Sequence, residues 1–225
     1  MNLSQLKSLV YINLVRLRRR TELYQPTFNP KRFPIINLNE KKRASDQRLR
    51  LIVKYIDLKK INSYLDVGSN FGYFVFSLAQ AHNLAARGIE KDTIAFRYSR
   101  AIANLNKIKN VSFKNLKITP LAASKLPEYD LISCLNVFHH LVFYQGLAKA
   151  KKVISTLAKK SKYFVFETGT FAEKDFPWTQ SLKFMGADSE KWVRSYLKSL
   201  GLKIIHQAEF KTHLGTKRSL FICRY

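Results

Sequence analysis

The residues of this chain that are best suited to binding a small cofactor lie in a glycine-containing segment at positions 64–72. The segment reads Tyr-Leu-Asp-Val-Gly-Ser-Asn-Phe-Gly and leads into an apolar-rich run at 73–81. Glycine lets a backbone come close to a ligand, and the first turn of a helix offers free N–H groups at the positive end of its dipole. We therefore predict a buried strand, a tight loop and the start of a helix, with a cofactor bound at the loop.

The spacing within this loop argues against a dinucleotide. The dinucleotide fingerprint needs a third glycine where this chain has Asn70. Asp66 would repel a pyrophosphate but suits a cationic amine or sulfonium, and Glu90 is placed to accept both hydroxyls of a ribose. A nucleoside with a positive centre and no phosphates, as in S-adenosylmethionine, fits these residues better than NAD.

The elements that must position this loop alternate between strand and helix from residue 61 onward. Strands are predicted at residues 63–67, 85–90, 111–115, 129–135 and 162–167, and helices at 72–82, 93–106, 117–125, 145–159 and 189–200. Such alternation predicts right-handed crossovers and a parallel sheet. Residues 202–210 and 217–224 are two consecutive strands, which suggests an antiparallel hairpin at one edge. We predict an α/β fold with a seven-stranded, mostly parallel sheet and helices on both faces.

An N-terminal helical arm is predicted to precede this domain. Apolar residues at three- and four-residue steps indicate an amphipathic helix over residues 3–20; they are Leu3, Leu6, Val10, Leu14 and Leu17. This helix either packs on its own domain or lies with residues 1–24 on an anionic membrane. Prolines at 26, 30 and 34 indicate an extended connector over residues 25–40, and a helix is predicted at 47–57. We predict a basic arm and connector at 1–44 and one domain at 45–225.

The charge of the chain favours polyanionic partners. Forty Lys and Arg against fifteen Asp and Glu leave a net charge of +25, which attracts nucleic acid, anionic lipid or phosphorylated glycans. Solvated lysines on ordinary surfaces are the alternative explanation. The two cysteines and the histidines show no metal-ligand spacing, so no metal is predicted. No apolar run is long enough for a signal peptide or membrane span, and a cytoplasmic protein, either free or peripheral at the membrane, is expected.

Three segments resemble the motifs of one known family, the class I (Rossmann-like) S-adenosylmethionine-dependent methyltransferases. Residues 65–72 resemble motif I, Gly88-Ile89-Glu90 resembles the acidic motif of the second strand, and residues 129–141 resemble the fourth motif. The resemblance covers about residues 45–225 and implies the sheet order 3-2-1-4-5-7-6. Residues 136–140 together with 209–214 are also similar, more weakly, to methyltransferases of bacterial polysaccharide clusters.

The resemblance implies a set of cofactor-binding residues. In the family, Asp66 would hold the amino group of S-adenosylmethionine and Glu90 its ribose. The predicted set is Asp66, Gly68, Ser69, Asn70, Gly72, Tyr73, Glu90, Lys91, Asn115, Leu116 and Asn136. The acid that usually follows the third strand and binds adenine is absent from this chain, so Asn115 or backbone groups would take its place. S-adenosylhomocysteine would be the product.

Three residues after the fourth and fifth strands are candidate bases; they are His139, His140 and Glu167. Methyl transfer needs a base only if the acceptor must lose a proton, and histidine can take one at neutral pH. Structural roles for both histidines stay open. The aromatic segment at 168–188 either covers the acceptor as a lid or packs in the core. The acceptor is predicted to be an oxygen of a glycan or glycan phosphate, with RNA as the alternative.

Overall fold

The structure of the protein is a computed structural model that describes residues 2–18, 44–174, 176–212 and 215–225. The connector predicted at 25–40 lies outside the described residues, as do residues 19 and 20 of the predicted N-terminal helix. The division of the chain at residue 44 therefore stays a prediction.

Seven strands form a single sheet, and their bounds are β1 Ser63–Val67, β2 Ala85–Glu90, β3 Val111–Asn115, β4 Tyr129–Leu135, β5 Ser161–Glu167, β6 Lys203–Lys211 and β7 Lys217–Arg224. Their order is β3-β2-β1-β4-β5-β7-β6, which confirms the predicted order. Strands β1 to β5 pair in parallel, and β7 runs antiparallel to both β5 and β6. The strand order reverses at the β1–β4 pair, and in such sheets ligands bind outside the carboxyl ends at this point.

Eight α-helices are present in the described ranges, at α1 Leu3–Arg18, α2 Ser45–Tyr55, α3 Tyr73–His82, α4 Thr93–Leu105, α5 Pro120–Ser124, α6 Phe138–Gln145, α7 Leu147–Lys159 and α8 Ser189–Ser199. Short 3-10 helices occur at Leu58–Lys60 and Thr179–Met185. Helices cover both faces of the sheet, as predicted. Leu65 and Ile132 pack towards one face with α7 and α8, whereas their neighbours Tyr64 and Leu131 pack towards the other with α2 and α3. This alternation is the period-2 geometry of strands.

Helix α6 was not predicted. The sequence Phe-His-His-Leu-Val-Phe-Tyr-Gln has no capping side chain at its N-cap, Val137, and only Asn136 and Val137 separate it from the fourth strand. Gly146, with a φ of 82°, separates α6 from α7: its N–H donates to Val142 O and its carbonyl accepts from Ala150 N. The chain thus turns sharply, and α6 places the two histidines in its first turn beside the end of β4.

Helix α1 packs on its own domain through a face that periodicity did not indicate. Ile12 and Val15 are buried against α4, and the side-chain amide of Gln5 donates to Leu105 O at 3.1 Å. The predicted apolar stripe instead points outward, with Leu3, Leu6, Val10, Leu14 and Leu17 between 45% and 68% exposed. Of the two predicted roles, the structure shows that the helix packs on its own domain, and the membrane role stays a prediction. In the described ranges, no helix combines the length and the apolar character needed to cross a bilayer.

Candidate active site

A cavity of about 300 Å³ opens at the carboxyl ends of β1, β2 and β4, where the strand order reverses. This volume lies at the lower end of the range for small-molecule sites. Seven of the predicted site residues line it; they are Gly68, Asn70, Glu90, Lys91, Leu116, Asn136 and His140. The cavity thus gathers residues from four separate segments of the chain, as the sequence predicted for a cofactor pocket.

The loop between β1 and α3 takes a shape that its residues permit. Gly68 and Gly72 have φ values of 80° and 81°, and Asn70, a residue that tolerates the left-handed region, has 49°. The N–H groups of Gly68 and Ser69 both donate to Ile89 O, at 2.8 and 3.0 Å. The loop is therefore tied to β2, and its backbone forms one wall of the cavity.

We expect Gly68→Ala to lower both stability and cofactor affinity. A Cβ at this position would lie 2.3 Å from Val137 Cγ2, on a β-branched side chain that lines the same cavity. The positive φ costs about 1–2 kcal/mol and the overpacking about 1–3 kcal/mol. The free energy of urea unfolding and calorimetric titration with S-adenosylmethionine measure both effects.

Gly215→Ala is the matched control for this change. Gly215 has a similar φ of 79°, but a Cβ there meets no atom within 4 Å. The control should lose only the conformational contribution and keep its affinity. Equal losses in the two variants would show that the contact with Val137 is unimportant.

Glu90 is fixed at the wall of the cavity by two backbone groups. Its Oε2 accepts from the N–H of Asn70 at 2.9 Å, and its Oε1 accepts from the N–H of Asp92 at 2.8 Å. The side chain is 8% exposed and reaches the cavity. A carboxylate oxygen has two lone-pair sites, so each Glu90 oxygen keeps one for a ligand hydroxyl.

Asp66 and Ser69 lie beneath the glycine loop, outside the cavity lining. Ser133 Oγ donates to Asp66 Oδ1 at 2.6 Å, whereas Asp66 Oδ2 and Ser69 Oγ are buried without a hydrogen-bond partner among the described residues. Burial, opposed by this hydrogen bond and reinforced by the charge of Glu90, raises the pKa of Asp66 to about 7. Buried polar atoms without partners are rare, and two of them beside the loop fit a ligand that carries an ammonium group.

The two histidines of α6 have different environments. His139 is 2% exposed, its ring centroid lies 4.3 Å from that of Trp178 with the planes tilted by 45°, and its Nδ1 accepts from the N–H of Gly169. Burial, with the charges of His140 and Arg218, holds the pKa of His139 well below its usual value. His140 lines the cavity, and burial together with Lys91 and Arg218 lowers its pKa to about 4. Both imidazoles are therefore neutral at pH 7, and only His140 faces the cavity.

Glu167 is engaged in a buried ion pair. Its two carboxylate oxygens accept from Nε and Nη2 of Arg48 at 2.7 and 2.8 Å, and its side chain is fully buried. It does not line the cavity. We predicted Glu167 as a candidate base at the pocket mouth; the structure corrects this, because an arginine occupies both of its oxygens.

A second ion pair, between Arg218 and Glu173, contacts a residue of the cavity lining. Arg218 on β7 binds Glu173 through Nε and Nη2 at 2.9 and 2.5 Å, and its Nη1 donates to Asn136 Oδ1 at 2.7 Å. Asn136 has a φ of 59°, a conformation that Asn tolerates better than most residues. The arginine thus holds the turn after β4, from which Asn136 faces the cavity.

Three further predicted residues lie outside the cavity. The hydroxyl of Tyr73 donates to Asp46 on α2. The amide of Asn115 donates to the carbonyls of Glu90 and Lys91, so it joins two strand ends and is not directed at a ligand. Gly72 is packed against Phe113 and Phe76. In this structure these residues shape the loops and do not line the cavity, so the predicted role of Asn115 in adenine binding stays a prediction.

Several lining residues were missed by sequence reasoning; they are Ile89, Lys117, Ile118, Leu141, Tyr144 and Gln145. Three of them lie on α6, which was itself not predicted. Gln145 Nε2 donates to Ile118 O at 2.8 Å, which joins α6 to the loop after β3. The four-residue spacing of His140 and Tyr144, which is one helical turn, was the sequence feature that could have indicated this helix.

The aromatic segment after β5 packs as core. Trp178 is 5% exposed and stacks on Phe176 with centroids 4.9 Å apart. The Trp178 ring also packs against Gly169, because a Cβ added to this glycine would lie 2.5 Å from the ring. Of the two predicted roles, the structure supports core packing. In the same described part of the chain, no group of three or more His, Cys, Asp or Glu residues is placed to hold a metal ion.

Comparison with known proteins agrees with this geometry. The chain is 29% identical over 163 residues to the O-antigen chain terminator bifunctional methyltransferase/kinase WbdD of Escherichia coli, covering 70% of this chain and 22% of that protein. The solved structure of WbdD superposes with a TM-score of 0.76 at 26% identity, over 95% of this chain and 46% of that chain. This chain thus spans about a fifth of the length of its curated relative.

A second solved structure supports the fold alone. Magnesium protoporphyrin IX methyltransferase of Synechocystis, with bound S-adenosylhomocysteine, superposes with a TM-score of 0.61 at 19% identity, over 95% and 94% of the two chains. The family model described as a methyltransferase domain matches residues 58–213, more than half of the chain and the whole of the cavity. The chain therefore belongs to the methyltransferase domain family.

Proposed function

We propose that this enzyme transfers a methyl group to an oxygen of a phosphorylated glycan. S-adenosylmethionine supplies an activated methyl group on a sulfonium sulfur. In this proposal, Glu90 binds the ribose, Asn70 and the loop backbone bind the methionine portion, and Leu116 and Ile118 contact the adenine. The orphaned oxygens of Asp66 and Ser69 support the placement of a cationic amino group beside the loop.

The observation that carries the choice of acceptor is the weakness of the available bases. His140 has a pKa of about 4, His139 is buried with Nδ1 occupied, and Glu167 is paired with Arg48. A general base works best with a pKa near the operating pH. A sugar hydroxyl would need such a base, whereas a phosphate oxygen is already anionic and can act as the nucleophile directly.

Two cations of the cavity lining are available to an anionic acceptor, Lys91 and Lys117, alongside the carboxylates of Glu90 and Asp92. The ammonium of Lys91 lies 4.5 Å from the ring centroid of Tyr144. The relative named O-antigen chain terminator supports a glycan. RNA, the alternative acceptor, was suggested by the net charge of +25.

Acceptor preference tests the proposal directly. Transfer of a labelled methyl group is measured to an oligosaccharide that ends in a phosphomonoester and to the same oligosaccharide without the phosphate. We expect a preference of about 100-fold or more for the phosphorylated form, since binding and nucleophilicity both depend on the charge. Equal rates, or efficient methylation of an RNA oligonucleotide, would contradict the proposal.

The role of His140 gives a second prediction. With a phosphate acceptor, His140→Ala should lower kcat/KM by about tenfold or less, because no proton is removed; loss of a true general base costs about 10²–10⁴-fold. With saturating cofactor, the wild-type rate should rise with the second ionisation of the phosphate, near pH 6, and then stay flat. His82→Ala, at the far end of α3, is the control. A loss above 100-fold would make His140 the base and favour a hydroxyl acceptor.

A further inference from the structure

The outward face of α1 is a continuous apolar stripe. Leu3, Leu6, Val10, Leu14 and Leu17 are each exposed by 45% or more. At 100° per residue these five side chains fall within an arc of roughly 80°, and they extend for about 21 Å along the helix. Isolated exposed leucines are common, but a row of this length on one helix face indicates a contact surface.

The stripe is held outward by specific contacts on the opposite side of the helix. Arg16 Nε donates to Tyr98 on α4 at 3.0 Å, and Asn104 Nδ2 donates to both Ser4 and Ser8 hydroxyls at 2.9 Å. Together with buried Ile12 and Val15, these bonds fix the rotation of α1. The helix cannot turn its leucines inward without breaking them.

Positive charge borders the stripe. Lys7 is exposed at its edge. Lys7 also lines an adjacent open groove with Arg97 and Arg100 of α4, and the described residues that line this groove include no carboxylate. In the sequence, the first acidic residue is Glu22. An apolar stripe with basic flanks and no acid is the pattern of a helix that lies in the interface of an anionic bilayer.

We propose that α1 docks this protein on the surface of an anionic lipid bilayer. The leucine stripe enters the interface, and Lys7, Arg97 and Arg100 contact lipid phosphates. A second copy of the chain suits this face poorly, because each copy carries a net charge of +25 and the described residues that line the adjacent groove include no carboxylate to meet a basic one. This inference does not depend on the identity of the methyl acceptor.

The proposed docking orients the cavity. Tyr11 donates to Ile94 O at 3.3 Å, and Gln5 donates to Leu105 O, so α1 runs antiparallel to α4. The N-terminus of α4 follows Lys91 and Asp92, which line the cavity. The C-terminal half of α1 therefore lies at the cavity edge of the sheet, and a docked protein would hold that edge near the membrane.

Vesicle co-sedimentation of the whole chain tests the proposal. The vesicles contain phosphatidylcholine alone or with about 30 mol % phosphatidylglycerol. We expect binding to the anionic vesicles that Val10→Asp with Leu14→Asp weakens by about tenfold or more, since both charges would enter the interface. Leu121→Asp, on α5 and 66% exposed, is the matched control and should bind like the wild type.

A charge variant and two folding checks complete the test of docking. Lys7→Gln with Arg97→Gln should weaken binding to the anionic vesicles and reduce its dependence on salt. Circular dichroism and calorimetric titration with the cofactor check that each variant is folded, so a failure of docking is distinct from a failure of methyl transfer. The proposal is overturned if the wild type does not bind anionic vesicles, or if the variant with Val10→Asp and Leu14→Asp binds them as well as the wild type does. A dimer in sedimentation equilibrium that this variant abolishes would assign the stripe to a second copy instead.

Discussion

Replacing Arg48 with Met is expected to destabilise the protein by about 3–5 kcal/mol, because it leaves a buried carboxylate without its partner. The Arg48 and Glu167 side chains are 9% and 0% exposed, so water cannot replace the lost hydrogen bonds. The Met side chain would still pack near Phe210, over whose ring the guanidinium lies at 4.3 Å. The free energy of urea unfolding at neutral pH measures the effect.

Two comparisons separate the ion pair from other causes. Arg48→Met with Glu167→Met should recover most of the loss, since an apolar pair of similar volume often replaces a buried ion pair at little cost. Lys217→Met breaks the exposed pair with Glu209 on the β6–β7 hairpin and should cost far less, because exposed ion pairs contribute little to stability. If Arg48→Met were as mild as Lys217→Met, the pair would not stabilise the fold. If Glu167→Gln, assayed while folded, lost activity by more than about 100-fold, Glu167 would be the base after all.

The Arg48–Glu167 pair also shows which features the sequence could not predict. The two residues are 119 positions apart, and neither hydrophobic periodicity nor a local motif connects them. Gly68, Asn70 and Glu90 were predicted because their roles depend on short segments whose spacing is visible in the chain. Asp66 was predicted from the same segment, but its burial beneath the loop depends on Ser133 of a different strand.

The fold shows the same division between local and distant determinants. Strands β1 to β5 and their order followed from alternation and from the family resemblance, and the structure confirms them. Helix α6 was missed because its apolar residues extend the pattern of β4. The inward face of α1 was missed because polar Gln5 and Ser8 are buried there with hydrogen-bond partners on α4. Periodicity locates an apolar face but does not say whether the domain covers it.

Asp66→Asn is expected to stabilise the fold while it weakens cofactor binding. The pKa of this carboxyl is raised from 3.8 to about 7, mainly by burial, so the folded state favours the protonated form. The free energy of unfolding therefore falls as the pH rises from about 4 to 7, and above pH 7 the ionised carboxylate destabilises the folded state. Asparagine cannot ionise, but its buried amide keeps one atom unpaired, so a net gain of about 1–3 kcal/mol at pH 8 is expected.

Binding should change in the opposite direction. A hydrogen bond between the carboxylate and an ammonium group is worth about 1.5–3 kcal/mol, so Asp66→Asn should weaken the Kd for S-adenosylmethionine by roughly 10–100-fold. In the wild type, protons compete with the cationic ligand, so affinity should decline as the pH falls below 7, whereas the variant should show no such decline. Calorimetric titrations between pH 6 and pH 8, chosen because they bracket a pKa of about 7, would measure this difference.

Asp130→Asn is the control for Asp66→Asn, because its effect on stability is expected to have the opposite sign. Burial alone would raise the pKa of Asp130, but hydrogen bonds from Lys162, Asn62 and Ser63 lower it to about 2. Its carboxylate stabilises the fold above the unfolded pKa of about 4, and the amide variant should lose about 1 kcal/mol and keep its affinity for the cofactor. Opposite stability changes in two aspartates of neighbouring strands would assign the penalty to the site beneath the glycine loop. Unchanged cofactor affinity in Asp66→Asn would instead make the buried carboxylate a structural group with no part in binding.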